Sequence, residues 1–269
     1  MSFFKLTLAY DGAEFSGWQG QPGRRTVQGE LERAWQEITG EAVRVNAAGR
    51  TDAGVHAAGQ VVGVESSTLL RAESLLGALN AKLPADVAVI AVELAPEGFH
   101  ATHDANRKRY QYTIYNDRRR PVFLRRYAWH VPSPLDAEAM HRAAQSLVGT
   151  HDFACFQSVG SERESTVRTI FAVDVNANRA GEEGPIAAPG SVGLSSESSS
   201  LESDSLVTIE VEGDGFLYNM VRAIAGTLVE VGRGKRDEHS LTDVLASLDR
   251  CRAGQTAPAH GLTMLWVQY

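Results

Sequence analysis

The sequence predicts an α/β (α+β) protein built from two ferredoxin-like βαββαβ halves, joined into one long mixed sheet flanked by helices, with a central cleft. Three observations lead there. The chain has 269 residues, which suits one large domain or two small halves sharing a core. Apolar patterns run in the order strand, helix, strand, strand, helix, strand, and then repeat that order. Each half alone would bury little surface, and fusing the two sheets buries more of the 43% of residues that are apolar. The halves are expected at 1–104 and 105–269.

In the first half, Phe4, Leu6, Leu8 and Tyr10 alternate with Lys5, Thr7 and Ala9, the period of a strand. Val27, Leu31, Ala34 and Ile38 form one stripe of a helix over 26–38, and Gly40 suits its C-terminal cap. Strands are expected at 43–48 and 59–65. Leu75, Leu76 and Leu79 mark a helix over 71–82 that Pro84 ends, and 87–94 reads as a strand.

The second half opens with a strand at 108–115 and a basic, proline-containing loop. A helix over 136–148 turns Met140, Ala144 and Leu147 inward and stops at Gly149. Strands at 167–177 and 205–212 precede a helix at 217–231 carrying Met220, Val221, Ile224 and Leu228. A short helix at 241–249 is expected to start from Ser240 and Asp243 as a capping pair. The last strand is expected at 262–267. Segment 180–204 is acidic, serine-rich and poor in large apolar groups, so a disordered loop is expected there.

The net charge of −7 argues, taken whole, against a nucleic-acid partner. Its distribution argues for one. Five acids, Glu182, Glu183, Glu197, Glu202 and Asp204, fall within 181–205, where there is no base. Over 105–130 stand eight cations, Arg107, Lys108, Arg109, Arg118, Arg119, Arg120, Arg125 and Arg126, against the single acid Asp117. Local potential, not the global sum, attracts a polyanion. The same strip read without further evidence is a solvated charged face.

No apolar run approaches the ~18 residues of a membrane span. Residues 1–6 enter a strand without the long apolar region of a signal peptide, so a cytoplasmic protein is expected. Cys155 and Cys251 form no CxxC pair and match no zinc spacing, so both are expected reduced and structural, with no metal. His151 lies near Cys155, but the local string supplies no oxyanion donors for a nucleophile pair.

The densest chemistry lies in Gly49-Arg50-Thr51-Asp52-Ala53-Gly54-Val55-His56-Ala57. One carboxylate sits in a glycine-bracketed turn beside a guanidinium, between two strand-like runs. Asp52 is either a cap for its own loop or a reactive group offered to a substrate. The whole string closely resembles the signature of the TruA family of tRNA pseudouridine synthases, and further matches run along most of the chain: Tyr10-Asp11-Gly12, Gly17-Trp18-Gln19, Gly59-Gln60-Val61-Val62, Phe99-His100-Ala101 and His151-Asp152-Phe153.

The resemblance implies isomerisation of uridine to pseudouridine at positions 38 to 40 of the anticodon stem-loop, by a homodimer that holds tRNA. It implies Asp52 as the catalytic residue, attacking C1′ or C6 or assisting elimination. Arg50 would help to hold the flipped-out nucleotide. Tyr110, in Arg107-Lys108-Arg109-Tyr110-Gln111-Tyr112, matches the family's Tyr, whose ring stacks on uracil; Tyr112 shares its strand parity, so pattern alone leaves both open. Arg222 would pair with Asp52, lowering its pKa and fixing its rotamer. Isomerisation exchanges no electrons and adds no water, so no cofactor is expected. The family continues Phe-His-Ala with Arg where this chain has Thr102. Two other readings stand beside this one. A catalytically inert RNA-binding module on the same fold would keep the basic strip, whereas a carboxylate enzyme acting on small nucleosides would not need it.

Overall fold

A computed structural model describes residues 1–158, 160, 165–179 and 205–269. Segment 180–204, expected as a loop, lies outside the described residues. The fold is mixed α/β, with a ten-stranded mixed sheet flanked by helices.

The first six elements follow the expected order: β1 (Ser2–Tyr10), α1 (Val27–Thr39), β2 (Asn46–Ala47), β3 (His56–Ser66), α2 (Ala72–Lys82) and β4 (Val87–Ala95). Then come β5 (Arg107–Asn116), β6 (Trp129–His130), α3 (Ala137–Ala144), β7 (Gly149–Asp152), β8 (Val167–Arg179), β9 (Ser205–Gly213), α4 (Met220–Gly232), α5 (Ser240–Ser247) and β10 (Leu262–Gln268). The sheet order is β4-β1-β3-β10-β5-β9-β8-β7, with β2 on β3 and β6 on β5. Within it β4-β1-β3-β2 and β10-β5-β9-β8 each follow the ferredoxin-like order of fourth, first, third and second strand. By contacts the chain forms two compact units, Met1–Tyr110 with Thr263–Tyr269, and Gln111–Leu262.

In the first unit β1 lies antiparallel between β3 and β4, with Leu6 opposite Val62 and Val92. The expected alternation holds: Phe4, Leu6, Leu8 and Tyr10 are all buried. Thr26 caps α1 by accepting the Gly29 N–H, and Gly40 ends it in the left-handed region at φ 74°. The stripe of α1 includes Trp35, fully buried with its ring 5.7 Å from that of Phe4. The helix α2 packs on α1 and β4.

In the second unit β8 and β9 form an antiparallel pair, with Val173 opposite Val211, and β7 adds to the outer edge of β8. Asp136 caps α3 through the Ala139 N–H, and a 3-10 turn, Gln145–Leu147, completes the expected span. Helix α4 begins later than expected, because Asn219 takes a left-handed conformation at φ 62° and breaks the turn before Met220. The expected cap at Ser240 is displaced too: His239 holds the cap position, and Ser240 Oγ has no partner among the described residues.

Candidate active site

Asp52 opens a four-residue turn. Its backbone carbonyl accepts the Val55 N–H at 3.1 Å, and Gly54 sits at φ 81°. A positive φ at the third position with a negative one before it defines a type II turn, and that third position requires glycine or a near substitute. The carboxylate is half-buried, while Arg50 and Ala53 on either side are exposed.

The peptides leading into this turn are held one by one. Ala48 N–H still reaches Val61 O of β3 at 2.8 Å, the last rung of the β2 pairing. Thr102 Oγ1 donates to Ala47 O at 2.6 Å, Lys108 Nζ to Ala48 O at 2.6 Å, and Gln60 Nε2 to Gly49 O at 2.6 Å. Thr51 O accepts the Trp18 N–H at 2.9 Å. That contact brings Gly17 so near that a Cβ there would lie 2.8 Å from Thr51 O. Thr51 Oγ1 shares a 2.8 Å hydrogen bond with the Tyr10 hydroxyl, which also accepts from Gln60 Nε2 at 3.4 Å. After the turn, His56 Nδ1 accepts the Gly12 N–H at 3.1 Å and lies 3.1 Å from Asp11 Oδ1. Side chains thus replace the sheet ladder wherever the backbone departs from it, as buried backbone groups require.

Two buried phenols flank the turn. Burial pushes Tyr10 up to about 12, against the smaller lowering by Thr51 and Gln60. Tyr110, 7% exposed, is pushed up further by burial, then by Tyr10 and the Asp52 carboxylate, so it stays neutral at any working pH. Its hydroxyl lies 3.2 Å from where a Cβ on Gly49 would stand. Tyr112 is engaged elsewhere. Its hydroxyl donates to Pro258 O at 2.8 Å, and its ring would meet a Cβ on Gly261 at 2.7 Å.

Arg222 belongs to α4 in the second unit. Its Nε donates to Ala257 O and its Nη1 to Asn219 Oδ1, each at 2.7 Å, so the left-handed Asn219 also orients this guanidinium. Asn219 in turn donates to Ser158 Oγ at 3.1 Å.

The basic strip divides by environment. Arg107, Arg118, Arg119, Arg120, Arg125 and Arg126 are exposed. Arg119 makes a paired contact with Asp117, and Arg125 donates to Val122 O at 2.7 Å. Arg109 is half-buried with its guanidinium 5.5 Å from the Trp266 ring centroid. Lys108, counted from sequence among the RNA-binding cations, is instead 8% exposed and turned onto Ala48 O. Alternation on β5 explains this, since Lys108, Tyr110 and Tyr112 share the buried face.

Burial pushes the Cys155 thiol up to about 11, and His151 Nε2 sits 3.1 Å from Val148 O, so neither is arranged as a nucleophile or its base. Among the described residues no helix is long and apolar enough to cross a membrane.

A half-buried carboxylate on a hydrogen-bonded turn, with a buried neutral phenol nearby, can do acid–base or covalent work. A model described as tRNA pseudouridine synthase matches residues 7–104 and 143–269, and the chain belongs to that family, whose members are isomerases acting on uridine in tRNA. It is 44% identical over 269 residues to the tRNA pseudouridine synthase A of Brevibacillus brevis, with 100% of both chains covered. It is likewise 44% identical over 272 residues to that of Moorella thermoacetica, again with 100% of both covered. Against the protein of the same name from a Geobacillus species the identity is 43% over 266 residues, covering 98% of this chain and 97% of the relative.

Proposed function

We propose that this protein converts uridine to pseudouridine at positions 38 to 40 of the tRNA anticodon stem-loop, with Asp52 as its catalytic carboxylate. The observation that carries the reading is the Asp52 turn itself, tied peptide by peptide and set beside the neutral Tyr110. In the reaction the N1–C1′ bond breaks, the base turns, and a C5–C1′ bond forms. One proton leaves C5 and one arrives at N1. Asp52 supplies the electron pair or the proton acceptor that separates base from sugar. Tyr110 stacks on the uracil, and its neutral hydroxyl relays the C5 proton. Arg50, exposed beside the turn, holds the extruded nucleotide. Arg222 pairs with the Asp52 carboxylate and keeps it ionised. The exposed arginines of the strip contact phosphates, and a homodimer in the cytoplasm holds the tRNA.

The test is incubation with unmodified tRNA transcripts and mapping of pseudouridine at single-nucleotide resolution. Asp52→Asn, nearly isosteric, is expected to abolish the product while tRNA still binds. Turnover near the wild-type rate in that variant would overturn the assignment. Product outside positions 38 to 40 would overturn the site within tRNA but not the chemistry.

A further inference from the structure

We infer that Lys108 is a positioning residue for this reaction: its buried ammonium holds the Ala48 carbonyl, and through it the entry of the chain into the Asp52 turn. The inference rests on the reading of Asp52 as the catalytic carboxylate.

In sequence Lys108 is one cation among eight. In the fold it differs from its neighbours. A lysine carries its charge on a flexible four-carbon stem and is ordinarily left in water. Here the residue is 8% exposed and its Nζ lies 2.6 Å from Ala48 O, four residues before Asp52. The place it reaches is where the sheet ladder stops. Ala47 is still in register with Val62, and Ala48 N–H still bonds Val61 O, but the chain then bends away toward the turn.

Three consecutive carbonyls at this bend are taken by donors from three separate parts of the chain: Ala47 O by Thr102, Ala48 O by Lys108 and Gly49 O by Gln60. The middle donor is the charged one, and a hydrogen bond with an ionised partner is the stronger kind. Without it the peptide between Ala48 and Gly49 keeps a buried acceptor that lacks this donor and gains freedom to rotate. Gly49 is also the residue that faces the Tyr110 hydroxyl. Lys108 and Tyr110 stand two apart on the same face of β5, so one strand carries both the ring and the anchor of the turn. Movement at this peptide shifts Asp52 relative to Tyr110, and a misplacement of about 1 Å can lower a rate by on the order of 100-fold.

The experiment compares Lys108→Met, Lys108→Arg, Thr102→Val and Asp52→Asn with the wild type. It reads single-turnover rates at saturating enzyme on a tRNA transcript, tRNA Kd over a salt series, and thermal midpoints. In Lys108→Met the saturating rate is expected to fall by roughly 10- to 100-fold. Its Kd should stay within about twofold and its salt slope should not change, because no phosphate contact is lost. Lys108→Arg, which restores a charged donor, should recover part of the rate. Thr102→Val, at an exposed residue on the neighbouring carbonyl, should lower the rate by a smaller factor without unfolding the protein. A wild-type saturating rate in Lys108→Met overturns the inference. So does a weaker Kd with a salt slope reduced by about one, which would make Lys108 a phosphate contact. If Lys108→Met does not fold, a wild-type rate in Thr102→Val overturns it. Turnover in Asp52→Asn would mean that the reading of Asp52 itself has failed. An inactive Asp52→Asn beside a fully active Lys108→Met would mean that only the inference about Lys108 has.

Discussion

Tyr110 and Tyr112 share one face of β5, yet their hydroxyls meet different neighbours. Tyr110 lies against Gly49 in the Asp52 environment, whereas Tyr112 donates to Pro258 O at 2.8 Å. Removing one oxygen from each should therefore give opposite results. If Tyr110 stacks on the uracil and relays the C5 proton as proposed, Tyr110→Phe keeps the ring and loses the relay, so kcat should fall by about 100-fold or more with tRNA Kd nearly unchanged. Tyr112→Phe removes the donor to the partly buried Pro258 carbonyl and should cost about 0.5–1.5 kcal/mol in urea unfolding, with kcat within about twofold. The reverse pattern would transfer the role to Tyr112. Asp52 and the glycine that its turn requires were legible because they are neighbours in one nine-residue string. Tyr10 and Gln60 were legible as members of strands and of strings that match the family, and Lys108 as one cation of the basic strip. What each of them holds is set by contacts reaching across 41, 11 and 60 positions of sequence, which no local pattern encodes. The available signal was a polar group at the end of an apolar face, as Tyr10 closes the face of Phe4, Leu6 and Leu8.

Among the elements, α1 buries its one tryptophan completely and carries an uncompensated cost with it. Trp35 is fully buried against Phe4, and its Nε1 has no acceptor among the described residues. An unsatisfied buried N–H costs about 1–3 kcal/mol, which offsets part of what the ring contributes. Trp35→Phe removes that donor and leaves a small void, so the net loss should stay under about 1.5 kcal/mol. Trp35→Ala opens a large cavity and should cost about 3–5 kcal/mol. A loss well above about 1.5 kcal/mol in Trp35→Phe would show that the N–H is satisfied. Long elements such as α1, β1 and β8 were readable from their period. β2 was expected over 43–48 and is paired only at Asn46–Ala47, whereas the two-residue β6 and the four-residue β7 were not expected, since so few residues hold no period to read. Helix starts slipped at Met220 and Ser240 because the deciding facts were backbone angles at Asn219 and the choice of His239 as cap.

For the molecule as a whole, a net charge of −7 opposes a polyanion, and the exposed arginines of 105–130 must act within their own neighbourhood. Screening makes this possible, because at physiological salt a charge is felt over a Debye length of about 8 Å. Arg119 is already paired with Asp117, so Arg118 and Arg120 are the sharper probes of the loop. If they contact phosphates, Arg118→Gln with Arg120→Gln should weaken tRNA binding at low salt. The slope of log affinity against log salt should then fall by about 1.4 to 1.8, one released counterion being worth roughly 0.7 to 0.9. The saturating rate should hold, because neither residue shapes the Asp52 turn. Lys108→Met is the internal comparison: a cation is lost from the same strip, but from its buried face, so the slope should keep its wild-type value. Titrations of both variants across a salt series separate the cases. An unchanged slope in the double variant would make the loop a solvated face, with the tRNA held elsewhere.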